Sequence, residues 1–299
     1  MTRRGSAEIA LVANPTAGKG RAARVLDEVV ARLRAGGLTT RTLVGTDAQD
    51  SLDLARKAVA EGVDALVSLG GDGMTHLALN VVAGTDTPLG VIPAGTGNDL
   101  ANTLGLPVRD PIGAADVVID RILDGGSWAM DAVRSGDEWW GCVLGAGFDS
   151  RVNDRANRLS WPRGKSRYNL AILLELPVFR PLPFTIRLDD EPPWQTEAML
   201  VALGNAQSYG AGMRVTPDAD LTDGLIDVMV LGPVSKIEFL RTFPKVFKGT
   251  HVDHPAVTVR RARAVTLSAP GVNAYADGEF LSALPVTCDC VQGAVRILA

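Results

Sequence analysis

Three glycine-containing turns in the first third of the sequence combine the residue types that hold phosphorylated ligands. They are Asn14 to Gly20, Gly70 to Gly73 and Pro93 to Asp99. Glycine lets the backbone approach a ligand closely, and the N–H groups at the start of a helix attract phosphate. Because each turn follows an apolar run and precedes a helical pattern, we expect all three to line one polyphosphate pocket.

The first turn matches neither of the two common nucleotide-binding motifs. A Walker P-loop requires Ser or Thr after Gly-Lys, whereas Gly20 follows Lys19 here. The Gly-x-Gly-x-x-Gly spacing of dinucleotide-binding proteins is absent as well. A small loop rich in hydrogen-bond donors remains, which suits phosphate or ribose. An ordinary strand-to-helix turn explains this motif, taken alone, equally well.

The second and third turns add side chains that can bind a cation. Glycines on both sides expose Asp72, where a Mg²⁺ that bridges phosphates could be held directly or through water. The third turn contributes the hydroxyl of Thr96, the amide of Asn98 and the carboxylate of Asp99. Asn98 or Asp99 could equally be a helix N-cap with no other role.

The elements that must position these turns alternate between strand and helix. Strands are predicted at Ile9 to Ala13, Thr40 to Val44, Ala65 to Leu69 and Leu89 to Ile92, and helices at Arg21 to Arg34, Asp50 to Glu61 and Met74 to Val82. This alternation predicts a parallel sheet with right-handed crossovers, which binds ligands at the carboxyl ends of its strands. The three turns occupy those ends.

The pattern changes near Asp124, after which short strands separated by turn residues dominate and indicate an antiparallel sandwich. Strands are predicted at Trp139 to Leu144, Phe184 to Leu188, Ala198 to Leu203, Ile226 to Leu231, Ala256 to Val259, Val265 to Ser268, Val286 to Cys290 and Ala294 to Leu298. We therefore predict an α/β domain over residues 1–127, to which the last strand could return, and a β-sandwich domain over residues 128–299.

One segment interrupts the strands of the second domain. Arg151 to Phe184 begins with basic residues and continues with apolar ones. Two interpretations stay open: a surface that touches an anionic bilayer, and an amphipathic helical excursion packed on the sandwich.

Composition excludes several classes of protein. At 299 residues the chain suits two domains, and its net charge of −4 argues against a nucleic-acid partner. We find no secretory signal and no apolar run near the length of a membrane span. Three cysteines are too few and too scattered for a disulfide framework or a metal site, which favours the reducing cytoplasm.

Together the three turns resemble the diacylglycerol kinase catalytic domain, in the order Asn-Pro-x-x-Gly, Gly-Gly-Asp-Gly and Pro-x-Gly-Thr-x-Asn-Asp. The closest likeness is to the bacterial diacylglycerol and lipid kinases, which are related to sphingosine and ceramide kinases. The resemblance continues through Gly204-Asn205, the segment Asp223 to Asp227, and Asp277-Gly278-Glu279. It implies a nucleotide-binding domain similar to phosphofructokinase and NAD kinase, followed by a β-sandwich.

This resemblance implies that the γ-phosphoryl group of ATP is transferred to a lipid hydroxyl, with diacylglycerol and phosphatidic acid as the expected substrate and product. ATP is then expected between the domains. The implied nucleotide contacts are Asn14, Pro15, Thr16, Ala17, Gly18, Lys19, Thr46, Gly70, Gly71, Asp72, Gly73 and Thr96.

The same resemblance assigns the metal ligands and the base. Asp220, Asp223 and the carbonyl of Leu225 are expected to hold Mg²⁺ in the second domain. Glu279 is the expected base, and Asp72 with Asp99 is expected to organise the catalytic Mg²⁺. Without the resemblance, Asp277-Gly278 is also an ordinary hairpin turn and the two metal-site aspartates could be solvated loop residues.

Two departures from the family pattern keep other functions open. Met74 stands where the family has threonine, and Leu77 stands where it has glutamate. They motivate the alternative of a catalytically silent nucleotide-binding regulator. The Gly-Gly-Asp-Gly turn and the two-domain plan are shared with NAD kinase, so an enzyme similar to NAD kinase is a further alternative. We expect a cytoplasmic protein that works on a lipid, with transient contact at the inner face of the membrane, and both a monomer and a homodimer are open.

Overall fold

The computed structural model describes residues 6–14, 17–159, 161, 165–210 and 212–299, with the backbone alone described at 17–24, 157 and 165–169. The chain folds as two units. Unit 1 contains Met1–Ala132 and Val291–Ala299, and unit 2 contains Val133–Cys290. Two strands, β5 (Trp128–Ser135) and β16 (Val286–Leu298), contribute residues to both units.

Unit 1 is built on a parallel sheet. Its strands are β1 (Glu8–Ala13), β2 (Thr39–Leu43), β3 (Ala65–Gly70), β4 (Leu89–Pro93) and the last residues of β16. They lie in the order β2-β1-β3-β4-β16, and each of these pairings is parallel. β3 and β4 are buried along their whole length, as expected for strands covered on both faces. The predicted parallel sheet is therefore confirmed.

Helices connect the strands of this sheet. They are α1 (Ala17–Ala35), α2 (Ala48–Ala60), α3 (Asp72–Val82), α4 (Asp99–Thr103) and α5 (Pro111–Leu123). Val29 and Leu33 of α1 and Val118 of α5 are buried in the same apolar core as the strands. The prediction that α1 begins at Arg21 is wrong. Glycines near the start of the helix have the appearance of loop residues in the sequence, although each costs only about 1 kcal/mol in a helix.

Unit 2 contains two antiparallel sheets. One has the order β16-β13-β8-β9, from β8 (Leu182–Leu188), β9 (Trp194–Ala198) and β13 (Ala264–Ser268) with the first residues of β16. The other has the order β12-β11-β10-β7-β14-β15, from β7 (Val143–Gly147), β10 (Leu200–Gly204), β11 (Ile226–Leu231), β12 (Val257–Ala262), β14 (Asn273–Ala276) and β15 (Glu279–Ala283). Apolar side chains from both sheets form one core, which confirms the predicted sandwich.

Helices cover the second face of the six-stranded sheet. They are α6 (Phe148–Arg158), α7 (Lys165–Glu175) and α8 (Lys236–Val246), and a 3₁₀ helix spans Thr250–Asp253. Phe148, Phe179 and Phe239 form a smaller apolar cluster there, with ring centroids 5.1–5.3 Å from Phe148. The segment Arg151 to Phe184 therefore contains most of α6, all of α7 and the start of β8.

Several predicted strands differ from the observed ones. The predicted strand Trp139 to Leu144 is wrong, because β6 (Glu138–Trp140) ends before Gly141 and β7 starts at Val143. The strands predicted at Val286 to Cys290 and Ala294 to Leu298 are one strand, β16, since Gly293 with a φ of 64° stays within it.

The cysteines carry no disulfide. Cys288 lies in the core of unit 2, where its sulfur accepts a hydrogen bond from the Ser135 hydroxyl at 3.2 Å. Burial raises the pKa of this thiol to about 12, so it stays protonated and unreactive at neutral pH. Among the helices of the described residues, none is both long and apolar enough to cross a membrane.

Candidate active site

The Asp72 carboxylate joins the second and third glycine turns of unit 1. Its Oδ1 accepts the N–H of Asp99 at 2.6 Å, and its Oδ2 accepts the N–H of Asn98 at 3.0 Å. Asp72 is the first residue of α3, and Asp99 is the first residue of α4. The prediction that these two turns meet is supported, and Asp72 is held in one orientation by backbone groups.

The glycines of these turns have no side chain, which allows the two turns to pack closely against each other. A Cβ on Gly95 would lie 2.3 Å from the Cα of Gly71, and a Cβ on Gly97 would lie 2.3 Å from Oδ2 of Asp72. Asn98 adopts a left-handed backbone with a φ of 56°, and its Oδ1 accepts the Gly95 N–H at 2.9 Å. From the sequence, we interpreted the glycines of these turns as positions where the backbone approaches a ligand closely. In the structure they are also required for the contact between the two turns.

Other predicted nucleotide contacts lie around this junction. Gly73 and Thr96 are exposed, and Asp99 is half-buried. Gly70 ends β3, and its carbonyl accepts the Ala94 N–H at 2.7 Å. These residues therefore surround Asp72 at the carboxyl ends of β3 and β4, where a parallel sheet binds ligands.

The first glycine turn is described only in part. Asn14 is exposed after β1, and its N–H lies 3.4 Å from the carbonyl of Leu69 at the end of β3. Pro15 and Thr16 lie outside the described residues. Ala17, Gly18 and Lys19 form the first turn of α1, with only their backbone described. The first turn thus follows a strand next to β3, and its role in nucleotide binding stays a prediction.

Thr46 has a local partner. Its N–H and its hydroxyl donate to the same Asp50 oxygen at 2.8 and 3.1 Å. Asp47 caps α2 by accepting the Asp50 N–H at 2.9 Å. Thr46 therefore belongs to the cap of α2 and is exposed after β2, and its contact with a nucleotide stays a prediction.

The two departures from the family pattern fall on α3. Met74 is buried with 8% of its surface exposed, and Leu77 is half-buried. Met74 therefore stabilises the packing of α3, and neither side chain can supply the oxygen ligand that Thr or Glu offers at these positions.

In unit 2, Asp277 fixes the turn that carries Glu279. Its carboxylate accepts the N–H groups of Gly141 and Cys142, both at 2.8 Å, and that of Val143 at 3.2 Å. These bonds also explain the break between β6 and β7, because three consecutive N–H groups, those of residues 141–143, converge on one carboxylate, whereas those of a continuous strand point alternately to its two sides. Glu279 follows at the start of β15 and is exposed.

The predicted metal ligands lie on one loop of unit 2. Oδ1 of Asp220 accepts the N–H and the hydroxyl of Thr222 at 2.9 and 2.7 Å, and Oδ1 of Asp223 accepts the Leu225 N–H at 3.0 Å. In the part of the chain that the structure describes, no group of three or more His, Cys, Asp or Glu side chains could hold a metal ion. The expected set has two carboxylates and a carbonyl, so it stays a prediction.

A buried acid lies behind this loop. Asp227 is 1% exposed, and its Oδ1 accepts a hydrogen bond from Nε of Arg261 at 3.3 Å. Nη1 of the same arginine lies 3.7 Å from Oδ2 of Asp223. Its Oδ2 has no hydrogen-bond partner among the described residues. Burial raises the pKa of Asp227, and the Arg261 guanidinium opposes that shift. Arg261 thus connects the loop that carries the predicted metal ligands to β11, through Asp223 and Asp227.

The sequence interpretation missed a cavity that lies within unit 2. It opens to solvent, and α8 forms one of its walls. A helix start was readable in the sequence, because Ser235 is followed three residues later by Glu238. In the structure the Ser235 hydroxyl accepts the Glu238 N–H at 3.2 Å and caps α8.

Two family descriptions match the chain in order. The diacylglycerol kinase catalytic domain matches residues 8–131, and the YegS C-terminal NAD kinase beta sandwich-like domain matches residues 142–299. Diacylglycerol kinase of Mycobacterium tuberculosis is 43% identical over 296 residues, which cover 97% of this chain and 94% of the relative. The chain belongs to the diacylglycerol kinase family. It is accordingly a lipid kinase.

A further relative and two solved structures are also similar to this chain. Diacylglycerol kinase of Bacillus subtilis is 29% identical over 92% of this chain and 90% of its own length. The crystal structure of a diacylglycerol kinase from Bacillus anthracis has a TM-score of 0.74 at 19% identity, covering 99% of this chain and 98% of that one. An NAD kinase from Archaeoglobus fulgidus in complex with ATP has a TM-score of 0.54 at 12% identity, covering 98% and 93%. The last two show a shared fold.

Proposed function

We propose that this lipid kinase transfers the γ-phosphoryl group of ATP to the free hydroxyl of diacylglycerol and so forms phosphatidic acid. The structural observation that carries the proposal is the Asp72 carboxylate, held by the N–H groups of Asn98 and Asp99 at the carboxyl ends of parallel strands. Phosphoryl transfer depends mainly on positioning and on charge stabilisation, and a carboxylate fixed by backbone donors meets the first requirement.

The glycine turns suit the phosphates of ATP. The backbone N–H groups at the starts of α1 and α3 point to the carboxyl ends of the strands, where a polyphosphate can accept them. A side chain at Gly71 would lie 3.1 Å from the Cα of Gly95, so the turns leave no room for bulk at that point. Asn14 to Lys19, Gly70 to Gly73 and Thr96 are the proposed contacts, with Thr46 beside them.

Magnesium fits the donor atoms at both proposed positions. Asp72 and Asp99 offer carboxylates in unit 1, and Asp220, Asp223 and the Leu225 carbonyl offer oxygens in unit 2. Mg²⁺ prefers oxygen ligands and keeps several waters, so it needs only one or two carboxylates at each place. When bound, it would neutralise the charge of the phosphate oxygens.

Glu279 is the proposed base. The Asp277 carboxylate fixes the preceding turn through three backbone N–H groups, so the start of β15 is rigid while the Glu279 side chain is exposed. In the reaction the lipid oxygen forms a bond to the γ-phosphorus, and the bond from that phosphorus to the bridging oxygen of ADP breaks. Glu279 takes the hydroxyl proton.

Contact with the cytoplasmic face of a membrane is part of the proposal, because the acceptor is a membrane lipid. α7 and the residues after it expose apolar side chains, namely Leu173, Leu174 and Val178. Arg158 is exposed on α6, whereas Arg155 bonds to Glu175 at 2.6 Å and is not available for headgroups. Arg163 lies outside the described residues.

A flotation assay with anionic phosphatidylglycerol vesicles tests the membrane contact. Leu173 is 66% exposed on α7, and Leu123 is 62% exposed on α5 of unit 1, which makes them a matched pair. We expect Leu173→Asp to reduce the floating fraction and Leu123→Asp to leave it unchanged. Equal flotation of the two variants and the wild type would contradict the proposed contact of α7 with the membrane.

A transfer assay tests the activity itself. The purified chain is incubated with γ-labelled ATP, Mg²⁺ and one acceptor at a time: dioleoylglycerol in mixed micelles, ceramide in mixed micelles, or NAD. Label in phosphatidic acid is the expected result. Label in ceramide phosphate or in NADP would identify ceramide or NAD as the acceptor in place of diacylglycerol. The absence of transfer to any acceptor would overturn the proposal.

A further inference from the structure

The motif Gly204-Asn205 lies at the end of β10, and the proposed function gives it no role. Gly204 pairs with Val143 at the start of β7 on one side and with Asp227 near the start of β11 on the other. Asn205 follows directly and is 0% exposed. Burying an amide is costly unless it is hydrogen-bonded, so the partners of Asn205 indicate what this side chain does.

Asn205 holds the segment that bonds to Asp277. Its Nδ2 donates to the Gly141 carbonyl at 2.8 Å, and its N–H donates to the Cys142 carbonyl at 2.9 Å. The N–H groups of the same two peptide groups belong to Cys142 and Val143, and they donate to Oδ1 of Asp277 at 2.8 and 3.2 Å. Because the C=O and N–H of a trans peptide point in opposite directions, each peptide group is held by Asn205 on one side and by Asp277 on the other.

This arrangement continues to the turn that carries the proposed base. The Asp277 N–H donates to the Val143 carbonyl at 3.0 Å, so Asp277 bonds to the segment 141–143 through its backbone as well as through its carboxylate. Glu279 lies two residues later, at the start of β15. β15 is the last strand in the order of its sheet, where it pairs with β14. The place of Glu279 therefore depends on where the peptide groups of residues 141–143 lie.

Asn205 is itself fixed, as a residue that positions another must be. The N–H of the next residue, Ala206, donates to the Cys142 carbonyl at 3.0 Å, and the Ala206 carbonyl accepts the Thr216 hydroxyl at 2.8 Å. Thr216 is 0% exposed and lies so near that a Cβ on Gly204 would be 2.0 Å from its Oγ1. Glycine at position 204 thus allows Thr216 to hold the chain beside Asn205.

We infer that Asn205 is a positioning residue for phosphoryl transfer, which sets the place of the Glu279 carboxylate through the peptide groups of residues 141–143 and Asp277. The inference rests on the proposed function, in which Glu279 accepts the hydroxyl proton. A base must lie within hydrogen-bond reach of the proton that it takes, so a displaced turn lowers turnover. The groups proposed to bind ATP in unit 1 stay unchanged.

A double-mutant cycle tests whether Asn205 acts through Glu279. Asn205→Ala removes the buried amide. Asn273→Ala is the matched control, because the Asn273 amide also lies in unit 2 but donates to Asp154 of α6 at 3.2 Å. Each variant is made alone and combined with Glu279→Gln. The transfer assay gives kcat and the KM values for ATP and dioleoylglycerol, and urea unfolding shows that each variant is folded.

We expect Asn205→Ala to lower kcat about tenfold and to leave both KM values within about twofold of the wild type. In the Glu279→Gln background, the same change should lower the residual kcat by about twofold or less, because no base is left to misplace. Asn273→Ala should retain the wild-type kcat. An equal fall in both backgrounds would mean a general loss of structure and would overturn the inference, as would a wild-type kcat for Asn205→Ala.

Hydrogen exchange measured by mass spectrometry gives a readout that needs no reaction. In Asn205→Ala, amide exchange in fragments that cover residues 141–147 and 277–283 should be about tenfold faster, and in Asn273→Ala it should stay within about twofold of the wild type. Unchanged exchange in Asn205→Ala would refute the positioning role. If Asn205→Ala does not fold, Asn205→Ser, which keeps a polar group at this position, replaces it in both experiments.

A failure of the proposed function is distinguishable from a failure of this inference. The proposed function fails if the wild type transfers no phosphoryl group, and its base assignment fails if Glu279→Gln alone has wild-type turnover. The exchange measurement depends on neither result, because it reports the hold of Asn205 on the turn directly.

Discussion

Gly71 and Gly95 pack backbone against backbone, so closely that a Cβ added to Gly95 would lie 2.3 Å from the Cα of Gly71. One glycine belongs to the turn after β3, and the other to the turn after β4. Backbone atoms cannot move aside as the end of a flexible side chain can. The contact therefore determines how near Asp72 lies to the N–H groups of Asn98 and Asp99.

Gly95→Ala is expected to separate the two turns. The clash with Gly71 should lower the free energy of unfolding by about 2 kcal/mol, as in other overpacked sites. It should also lower kcat, because Asp72 loses its backbone donors. Gly126→Ala is the control, since its nearest contact would be the Arg121 side chain at 3.5 Å, an ordinary van der Waals distance. Urea unfolding and the transfer assay measure both effects, and wild-type values for Gly95→Ala would contradict the role of this contact.

Asp72→Asn tests whether both carboxylate oxygens are needed. An amide has one acceptor oxygen, so its NH₂ group would face one of the two N–H groups of residues 98 and 99. We expect a loss of about 1.5–3 kcal/mol of stability and a fall in kcat of about a hundredfold. Asp110→Asn is the matched control, because Asp110 caps α5 with a single bond to the Gly113 N–H at 3.0 Å, which asparagine retains. A similar loss in both variants would mean that Asp72 only caps a helix.

Much of unit 1 could be predicted from the sequence because its signals are local. β3 and β4 are short apolar runs without alternation, and glycine turns follow them directly. The start of α1 could not be placed correctly, since Gly18 and Gly20 carry the same signal in a loop as in the first turn of a helix. The contact between Gly71 and Gly95 was also beyond prediction, because it depends on how two strands pair.

Unit 2 was harder to predict because its decisive contacts are distant in sequence. The break between Trp140 and Val143 depends on Asp277, whose carboxylate accepts the N–H groups of residues 141–143. No local feature of that apolar segment indicates the break. α8 was missed for a different reason: apolar residues lie on both of its faces, since Phe239 and Phe243 line the cavity while Ile237 and Leu240 are exposed.

Glu279→Gln separates chemistry from folding. Glu279 is exposed, so the substitution should leave the free energy of unfolding within about 0.5 kcal/mol of the wild type. Glutamine cannot accept the hydroxyl proton, and kcat should fall by about a hundredfold or more while nucleotide affinity stays the same. Glu197→Gln is the control, because Glu197 is an exposed glutamate on β9 of the same unit. Wild-type turnover of Glu279→Gln would withdraw its assignment as the base.

His251 should make the stability of the protein depend on pH below 6.5. It is 3% exposed, its Nε2 lies 3.1 Å from the Val215 carbonyl, and its Nδ1 has no partner among the described residues. Burial lowers its pKa from the ordinary value of 6.5, although the Val215 carbonyl and Asp253 oppose the shift. The folded protein therefore disfavours the charged imidazole.

As the pH falls through 6.5, the unfolded chain binds a proton that the folded protein does not bind at His251. The free energy of unfolding should decrease from that point, by up to about 1.4 kcal/mol per pH unit, until the pH passes the lowered pKa of the folded state. Above pH 6.5 this contribution is complete and constant. Urea unfolding of the wild type and His251→Gln at pH 7.5, 6.5 and 5.5 measures it. The variant should show a shallower decrease, and parallel decreases in the two proteins would show that another group is responsible.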